Sequence, residues 1–496
     1  MLPTLSVCNK TNLQQVAQSK VCPEASVAKN IVIFSDGTGQ RGGVLVDENR
    51  SNIYKLYRAT RCGPESSVNP TDQLAFYDPG IGTLPHGAGL FGTLWRRFYN
   101  MVSQALGLGL TGNMIDCYAA IVRLWRPGDN IFLFGFSRGA YTVRCLGGVI
   151  GMCGVPTQSK GGGPLLLDED TTKHIASEAV KEVYQHTSSW DPEKATVRQK
   201  ELLEQRRELA RRFRRTYASG NDEGPDVNPY FIGVFDTVAS LSNPAFLALL
   251  IALALGAILL LSTALWYMFN PIWVLTSWWH WALALSFLVG AGGLAANLWM
   301  RVKWEKGLPH SKGFHLAEAR MNFYDTQLNP KVAYARHALS IDETRDEFRR
   351  VRWGNPKFWR DTGLNRAGGD NPRWFEQLWF TGNHSDIGGS YEENESRLSD
   401  ISLRWMLEAA ARVGLKFDPA AIYTYPDPTG PQHDETISSP LFNRTSKSLR
   451  RIGPNFPLHE SVIARFQAPA VLHYNVMKPY RPENLREHEK VKGFYA

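Results

Sequence analysis

A serine, an aspartate and a histidine in this chain each follow a short apolar run closely. Ser137 sits in Gly135-Phe136-Ser137-Arg138-Gly139, after the apolar and aromatic run Asn130–Phe136. That is a G-x-S-x-G pattern, the nucleophile elbow, in which a serine on a sharp strand-to-helix turn takes a strained backbone and its neighbours nearly touch. Glycine at Gly135 and Gly139 leaves room for that approach. The helix predicted over Ala140 to about Met152 aims its N-terminal N–H groups at Ser137, an end that stabilises negative charge. Asp236 follows the buried-type run Tyr230–Phe235, and His384 follows the run Phe375–Phe380 within Thr381-Gly382-Asn383-His384-Ser385-Asp386-Ile387-Gly388-Gly389. A serine hydroxyl needs a base to take its proton, and the base needs an acid to fix its tautomer. The chain order Ser137, Asp236, His384 supplies those roles.

The rival acid is Asp386, which on most backbones points away from a histidine two residues before it. The rival base is His337, placed in a helix predicted over Val332–Ser340. An oxyanion needs two preorganised donors. The N–H of Arg138 is one; Gly37 or Thr38, in the Gly-rich loop after the run Asn30–Phe34, supplies the other, with Asp36 orienting the loop. A second chemistry stays open: Asp36, Asp236, His384 and Asp386 are hard or borderline metal ligands, although no spacing among them is diagnostic. The serine reading calls for no metal and no cofactor.

The elements that must position these residues read as a mostly parallel sheet. Strands are predicted over Asn30–Phe34, Gln73–Tyr77, Asn130–Phe136, Tyr230–Phe235 and Phe375–Phe380, with helices over Asn113–Trp125 and Ser399–Val413. Strand, loop, helix and strand alternate along the first third, the pattern of an α/β fold. Residues 1–27 read as a leader, and the segment from Gly414 onward as an irregular tail packed on the domain. Thr196–Tyr217 is a helix rich in arginine, either a solvated face or a basic patch toward a membrane.

The formal net charge of +8 suits an anionic membrane surface, and no zinc-finger spacing or RNP-like motif points to nucleic acid. The six cysteines are scattered with no C-x-x-C, which fits reduced thiols in a cytosolic setting. Asn9–Lys20 is polar, which argues against a cleaved secretory signal. Thr237–Met300 contains no Asp, Glu, Lys or Arg, and seven of the 15 tryptophans lie between Trp266 and Trp304. At about 1.5 Å per residue, Ala245–Tyr267 and Trp278–Met300 are each long enough for a hydrocarbon core of about 30 Å. Two spans with a turn at Asn270-Pro271, followed by Arg301, Lys303 and Lys306, predict a membrane hairpin with the folded domain on the cytoplasmic side. The bland reading of the same run is a buried helical hairpin.

Several stretches together resemble a known family, an α/β-hydrolase domain family that includes phospholipase effectors of bacterial type VI secretion. They are Phe34-Ser35-Asp36-Gly37-Thr38, Tyr77-Asp78-Pro79-Gly80-Ile81-Gly82-Thr83, Gly135–Ala140, Gly233-Val234-Phe235-Asp236-Thr237-Val238, His337–Glu343 and Trp379–Gly389. They run in family order from about residue 29 to 415. The resemblance implies a hydrolase with Ser137, Asp236 and His384 as its triad and esters of glycerophospholipids as substrates. It leaves any secretion-system or immunity partner unassigned.

The expectation is therefore an α/β-hydrolase-like, mostly parallel sheet with an inserted transmembrane hairpin. The domain runs over 28–243 and 302–496, interrupted by the hairpin at 244–301. The expected protein is multi-pass and membrane-embedded, and it cleaves membrane lipid esters at a membrane surface through an acyl-serine. The alternatives are a membrane-anchored carboxylesterase or thioesterase, and a catalytically silent membrane scaffold.

Overall fold

Alternation along the strands decides the architecture. Ile31 and Ile33 are fully buried on one face of the first strand, and Val32 and Phe34 are fully buried on the other. A strand apolar on both faces needs a layer of helices on each side, which is the setting of parallel sheets. The computed structural model describes residues 28–37, 49–80, 109–190, 195–238, 244–269, 278–304, 307–311, 313–317, 328–345, 348–354, 365, 373–435, 448–473 and 476–495. Its strands are β1 (Asn30–Ser35), β2 (Gln73–Asp78), β3 (Asn130–Phe136), β4 (Phe231–Phe235), β5 (Val302–Trp304), β6 (Phe314–Leu316), β7 (Tyr334–Ser340) and β8 (Phe375–Phe380). Six of them form one sheet in the order β2-β1-β3-β4-β7-β8, every pair parallel. β5 and β6 form a separate antiparallel ribbon.

One layer comes from the helices Gly109–Leu124, Arg138–Cys153 and Val197–Tyr217, which pack Met114, Leu146 and Phe213 with Ile131 and Leu133 of β3. The other comes from Asn52–Thr60 and Arg397–Ala411, which pack Leu56 and Met406 against Phe132 and Phe134. The C-terminal segment closes the β8 edge. Trp379 donates to Pro457 O at 3.1 Å, His459 donates back to Trp379 O at 3.0 Å, and Val462, Phe466 and Tyr480 are buried around them. The sheet edge is thus paired and covered.

From β1 the chain crosses to β2 on one side, then returns to β3 on the other. The crevice beyond the carboxyl ends of β1 and β3 is therefore a topological switch point, where open α/β sheets hold their chemistry. Ser137 directly follows β3, Asp36 follows β1 and Asp236 follows β4.

Two expectations are corrected. Val332–Ser340 was expected to be helical, but Tyr334–Ser340 is strand β7, bonded on both sides to β4 and β8. Short, wholly buried apolar runs carry no decisive period, and pairing on two sides settles the matter. The transmembrane hairpin, and with it the two-span membrane location, is also overturned. Helices Pro244–Phe269 and Trp278–Arg301 pack on each other, but among the described residues no helix is long and apolar enough to cross a membrane. In the second, Trp278, Trp279, His280, Trp281 and Ser286, with Gly290, Gly292 and Gly293, dilute the apolar character. The leader 1–27 and the Asn270-Pro271 turn lie outside the described residues.

The arginine-rich helix Val197–Tyr217 spends much of its charge within the protein. Arg206 donates to Thr187 O at 3.1 Å, Arg214 to Asn221 O at 2.8 Å, and Glu208 pairs with Arg211 and Arg212.

Candidate active site

Ser137 has φ 59° and ψ −120°, a region that non-glycine residues rarely occupy. It stands before the first turn of the Arg138–Cys153 helix, yet its side chain makes no capping bond to that helix. Its own N–H donates to Phe235 O at 3.1 Å, which ties the elbow to the end of β4. The two glycines of the motif are sterically required. A Cβ on Gly139 would lie 2.0 Å from Ser35 O, and one on Gly135 would lie 2.4 Å from Gly139 O. Close packing of the β1 end, the β3 end and the helix start leaves no volume for a methyl group.

Asp236 is fully buried one residue beyond β4, also at positive φ (38°). Nδ1 of His384 lies 2.6 Å from its Oδ2, and Ser340 N donates to its Oδ1 at 3.1 Å. Burial would raise the carboxyl's pKa; the Arg450 guanidinium and His384 more than offset this and hold it well below the ordinary carboxylate range. An ionised Asp236 can only accept, so Nδ1 of His384 is the donor in this pair, which in the neutral ring leaves the lone pair on Nε2. Nε2 is buried and has no hydrogen-bond partner among the described residues.

His384 opens a five-residue helix capped by Asn383. Its ring stacks on Phe136, the residue before the serine, with centroids 4.6 Å apart, and meets the edge of Phe348 at 4.9 Å. The Gly388 position is pressed by the same Phe136 ring, 1.9 Å from where a Cβ would stand. The histidine loop is thus seated directly on the elbow.

The remaining expected site residues fall in separate places. Asp36 accepts from Ser51 Oγ, from Tyr77 Oη at 2.6 Å and from Gly37 N at 2.7 Å. The Gly37 N–H, expected as an oxyanion donor, is spent on Asp36. Thr38 lies outside the described residues. Arg138 is the first residue of the helix, where backbone N–H groups have no acceptor within the helix; burial pulls its guanidinium down to about 10. Asp386 faces away from His384. It accepts from Asn383 N at 3.0 Å and pairs with His433 Nδ1 at 2.7 Å. His337 is a core histidine on β7, with Thr237 Oγ1 3.3 Å from Nε2 and Gln377 Oε1 3.1 Å from Nδ1. Burial, followed by the charge of Arg144, drives its pKa well below the ordinary histidine value. Among the described residues no group of three or more His, Cys, Asp or Glu is arranged to hold a metal ion.

Three contributors escaped the sequence reading. Arg450 grips both oxygens of Asp236, with Nη2 2.9 Å from Oδ2, and also donates to Ser340 O and Phe348 O. Glu343 accepts from the backbone N of His384 at 3.2 Å and is held by Arg345. His433 anchors Asp386 and stacks on Tyr391 with centroids 3.7 Å apart. Glu343 is the last residue of the motif His337-Ala338-Leu339-Ser340-Ile341-Asp342-Glu343, a local signal; Arg450 and His433 stand in irregular chain with none.

Comparison with known proteins gives the family. The family described as T6SS, Phospholipase effector Tle1-like, catalytic domain matches residues 29–263 and 289–409. An uncharacterized protein of Saccharomyces cerevisiae (strain ATCC 204508 / S288c), YEL023C, is 25% identical over 444 residues, 81% of this chain and 59% of its own length. The chain thus spans under two thirds of that relative. A crystal structure of an uncharacterized protein from Pseudomonas aeruginosa aligns with 88% of this chain and 50% of its own, at 16% identity and TM-score 0.34. The structure of the Tle1 effector bound to the VgrG spike of the type 6 secretion system aligns with 79% of this chain and 74% of its own, at 14% identity and TM-score 0.30. The chain belongs to the Tle1-like family of type VI secretion phospholipase effector catalytic domains.

Proposed function

We propose that this chain is a serine hydrolase that cleaves phospholipid esters at a lipid surface through an acyl-Ser137 intermediate. The observation that carries the reading is the pairing of an ionised, buried Asp236 with His384 Nδ1 at 2.6 Å, beside a serine at φ 59° whose hydroxyl does not cap its own helix. Family membership supplies the lipid class.

In this mechanism Nε2 of His384 takes the Ser137 proton as Oγ attacks the ester carbonyl. Asp236 keeps the imidazole in its tautomer and offsets the imidazolium charge. The developing oxyanion sits at the start of the Arg138–Cys153 helix, where the Arg138 N–H and the helix dipole stabilise it. His384 then protonates the departing alkoxide, and a water activated by the same nitrogen releases the fatty acid.

The test is mass spectrometry of products after incubation with mixed phospholipid vesicles. The reading predicts free fatty acid and lysophospholipid from the wild type and neither from Ser137→Ala. Release of phosphate or headgroup with intact acyl chains would contradict it. Exclusive turnover of short esters in solution would favour a carboxylesterase.

A further inference from the structure

Beside the triad lies a cavity of about 360 Å³ lined by six arginines and one carboxylate, Glu343. Phe348, whose ring meets His384 edge-on at 4.9 Å, is part of its wall. Two of its cations are spent within the protein: Arg345 on Glu343 and Glu435, and Arg450 on Asp236. Arg350, Arg352 and Arg451 are different. Among the described residues none of the three has a carboxylate partner, and Arg350 is half-buried, its guanidinium 5.0 Å from the centroid of the Trp379 ring. Burial, then repulsion from Arg450 and Arg352, lowers its pKa to about 10. Cations crowded together, one of them half-buried and attracted only by Asp236, a carboxylate already paired with Arg450, are a costly arrangement unless an anion completes it. Guanidinium forks match the geometry of phosphate oxygens.

We propose that Arg350, Arg352 and Arg451 form a phosphate subsite that holds the headgroup phosphodiester of the substrate while its acyl ester meets Ser137. The inference rests on the hydrolase reading above and deepens it by naming the residues that take the headgroup phosphate. A glycerophospholipid carries its phosphate only a few bonds from its ester carbonyls. A subsite one aromatic ring from His384 therefore holds the phosphate without drawing the ester away. The single carboxylate, Glu343, is occupied by Arg345 and by the backbone of His384, so the cavity offers no counter-charge to a headgroup amine.

The experiment compares kcat/KM on dihexanoyl phosphatidylglycerol and on dihexanoylglycerol, which has the same acyl esters and no phosphate. Arg352 and Arg451 are exposed, so Arg352→Gln/Arg451→Gln tests the subsite without disturbing the core, and Arg350→Gln is the second variant. The expected result is a fall of roughly tenfold or more in the ratio of the two constants, the size of a lost charge-assisted hydrogen bond. Inorganic phosphate should compete with phosphatidylglycerol in the wild type, and more weakly in the double variant. An unchanged ratio overturns the inference even if phosphate binds, since the cluster would then hold a free anion with no part in substrate selection. If the wild type cleaves neither ester, the hydrolase reading fails on its own. Calorimetric titration of dihexanoyl phosphatidylglycerol then decides the subsite: binding weakened about tenfold in the double variant supports it, and equal binding overturns it.

Discussion

Arg450 and Asp236 lie 214 residues apart in sequence, yet the guanidinium clasps both carboxylate oxygens, with Nη2 2.9 Å from Oδ2. The acid of the proposed triad therefore accepts from both Arg450 and His384, and its orientation toward His384 is fixed from the C-terminal segment.

Arg450→Met should lower kcat by roughly 10- to 100-fold with KM little changed, because charged hydrogen bonds of about 1.5–3 kcal/mol are lost from the side that holds Asp236. Removing the cation also makes a positive charge beside Asp236 easier to form, so the acid limb of the kcat/KM profile should move to higher pH. Arg450→Lys should return that limb toward the wild-type position while restoring only part of kcat. A pH profile unmoved in both variants would reduce Arg450 to a structural tie.

The triad assignment gives a graded series. Ser137→Ala and His384→Ala should each nearly abolish turnover, since the two act as one unit. Asp236→Asn should cost orders of magnitude by favouring the wrong histidine tautomer. Asp386→Asn should be milder, because Asp386 pairs with His433 rather than with the His384 ring. Steady-state rates on a phosphate-free ester give the ranking, and an essential Asp386 beside a dispensable Asp236 would reverse the assignment.

Packing at the elbow predicts a steric effect. Gly139→Ala drives a Cβ to within 2.0 Å of Ser35 O and should cost roughly 3 kcal/mol or more. Gly63→Ala, with nothing within 4 Å, should leave Tm nearly unchanged. Equal melting temperatures for the two variants would show that the β1–helix approach is looser than described.

Asp78 at the end of β2 accepts from Ser35 Oγ at 2.9 Å and from Asn113 Nδ2 at 2.8 Å, and burial pushes its carboxyl up to about 7. Its folded pKa is thus above its unfolded value of 3.8. The protonated form is favoured on folding, so its contribution is fully present below pH 4 and is lost as pH rises toward 7. The loss amounts to at most about 4 kcal/mol. Asp78→Asn should therefore melt several degrees above the wild type at pH 8, with the gap closing toward pH 4. Parallel melting curves across that range would contradict the buried, proton-binding role.

The legible parts of the site were those announced by local pattern. An apolar run ending in Gly-x-Ser-x-Gly leaves few backbones for Ser137, and the runs before Asp236 and His384 are short, rich in aromatic residues and closed by turn residues, which marks them as strands. His337 was misplaced because Val332–Ser340 has apolar spacing that fits a helix, and only its hydrogen bonds to β4 and β8 make it a strand. The uncharged run Thr237–Met300 was read as two spans from composition; it forms two helices that pack on each other, and among the described residues no helix is long and apolar enough to cross a membrane. Arg450 had no local signature, since a single arginine in irregular chain acquires its role only when the tail folds back over β7 and β8.

The most direct test of the central claim is covalent. Folded protein treated with a fluorophosphonate and digested should yield one modified peptide, with the adduct on Ser137. Labelling should be absent in Ser137→Ala and slowed by orders of magnitude in Asp236→Asn. No adduct on folded wild type, or an adduct that persists in Ser137→Ala, would contradict the account.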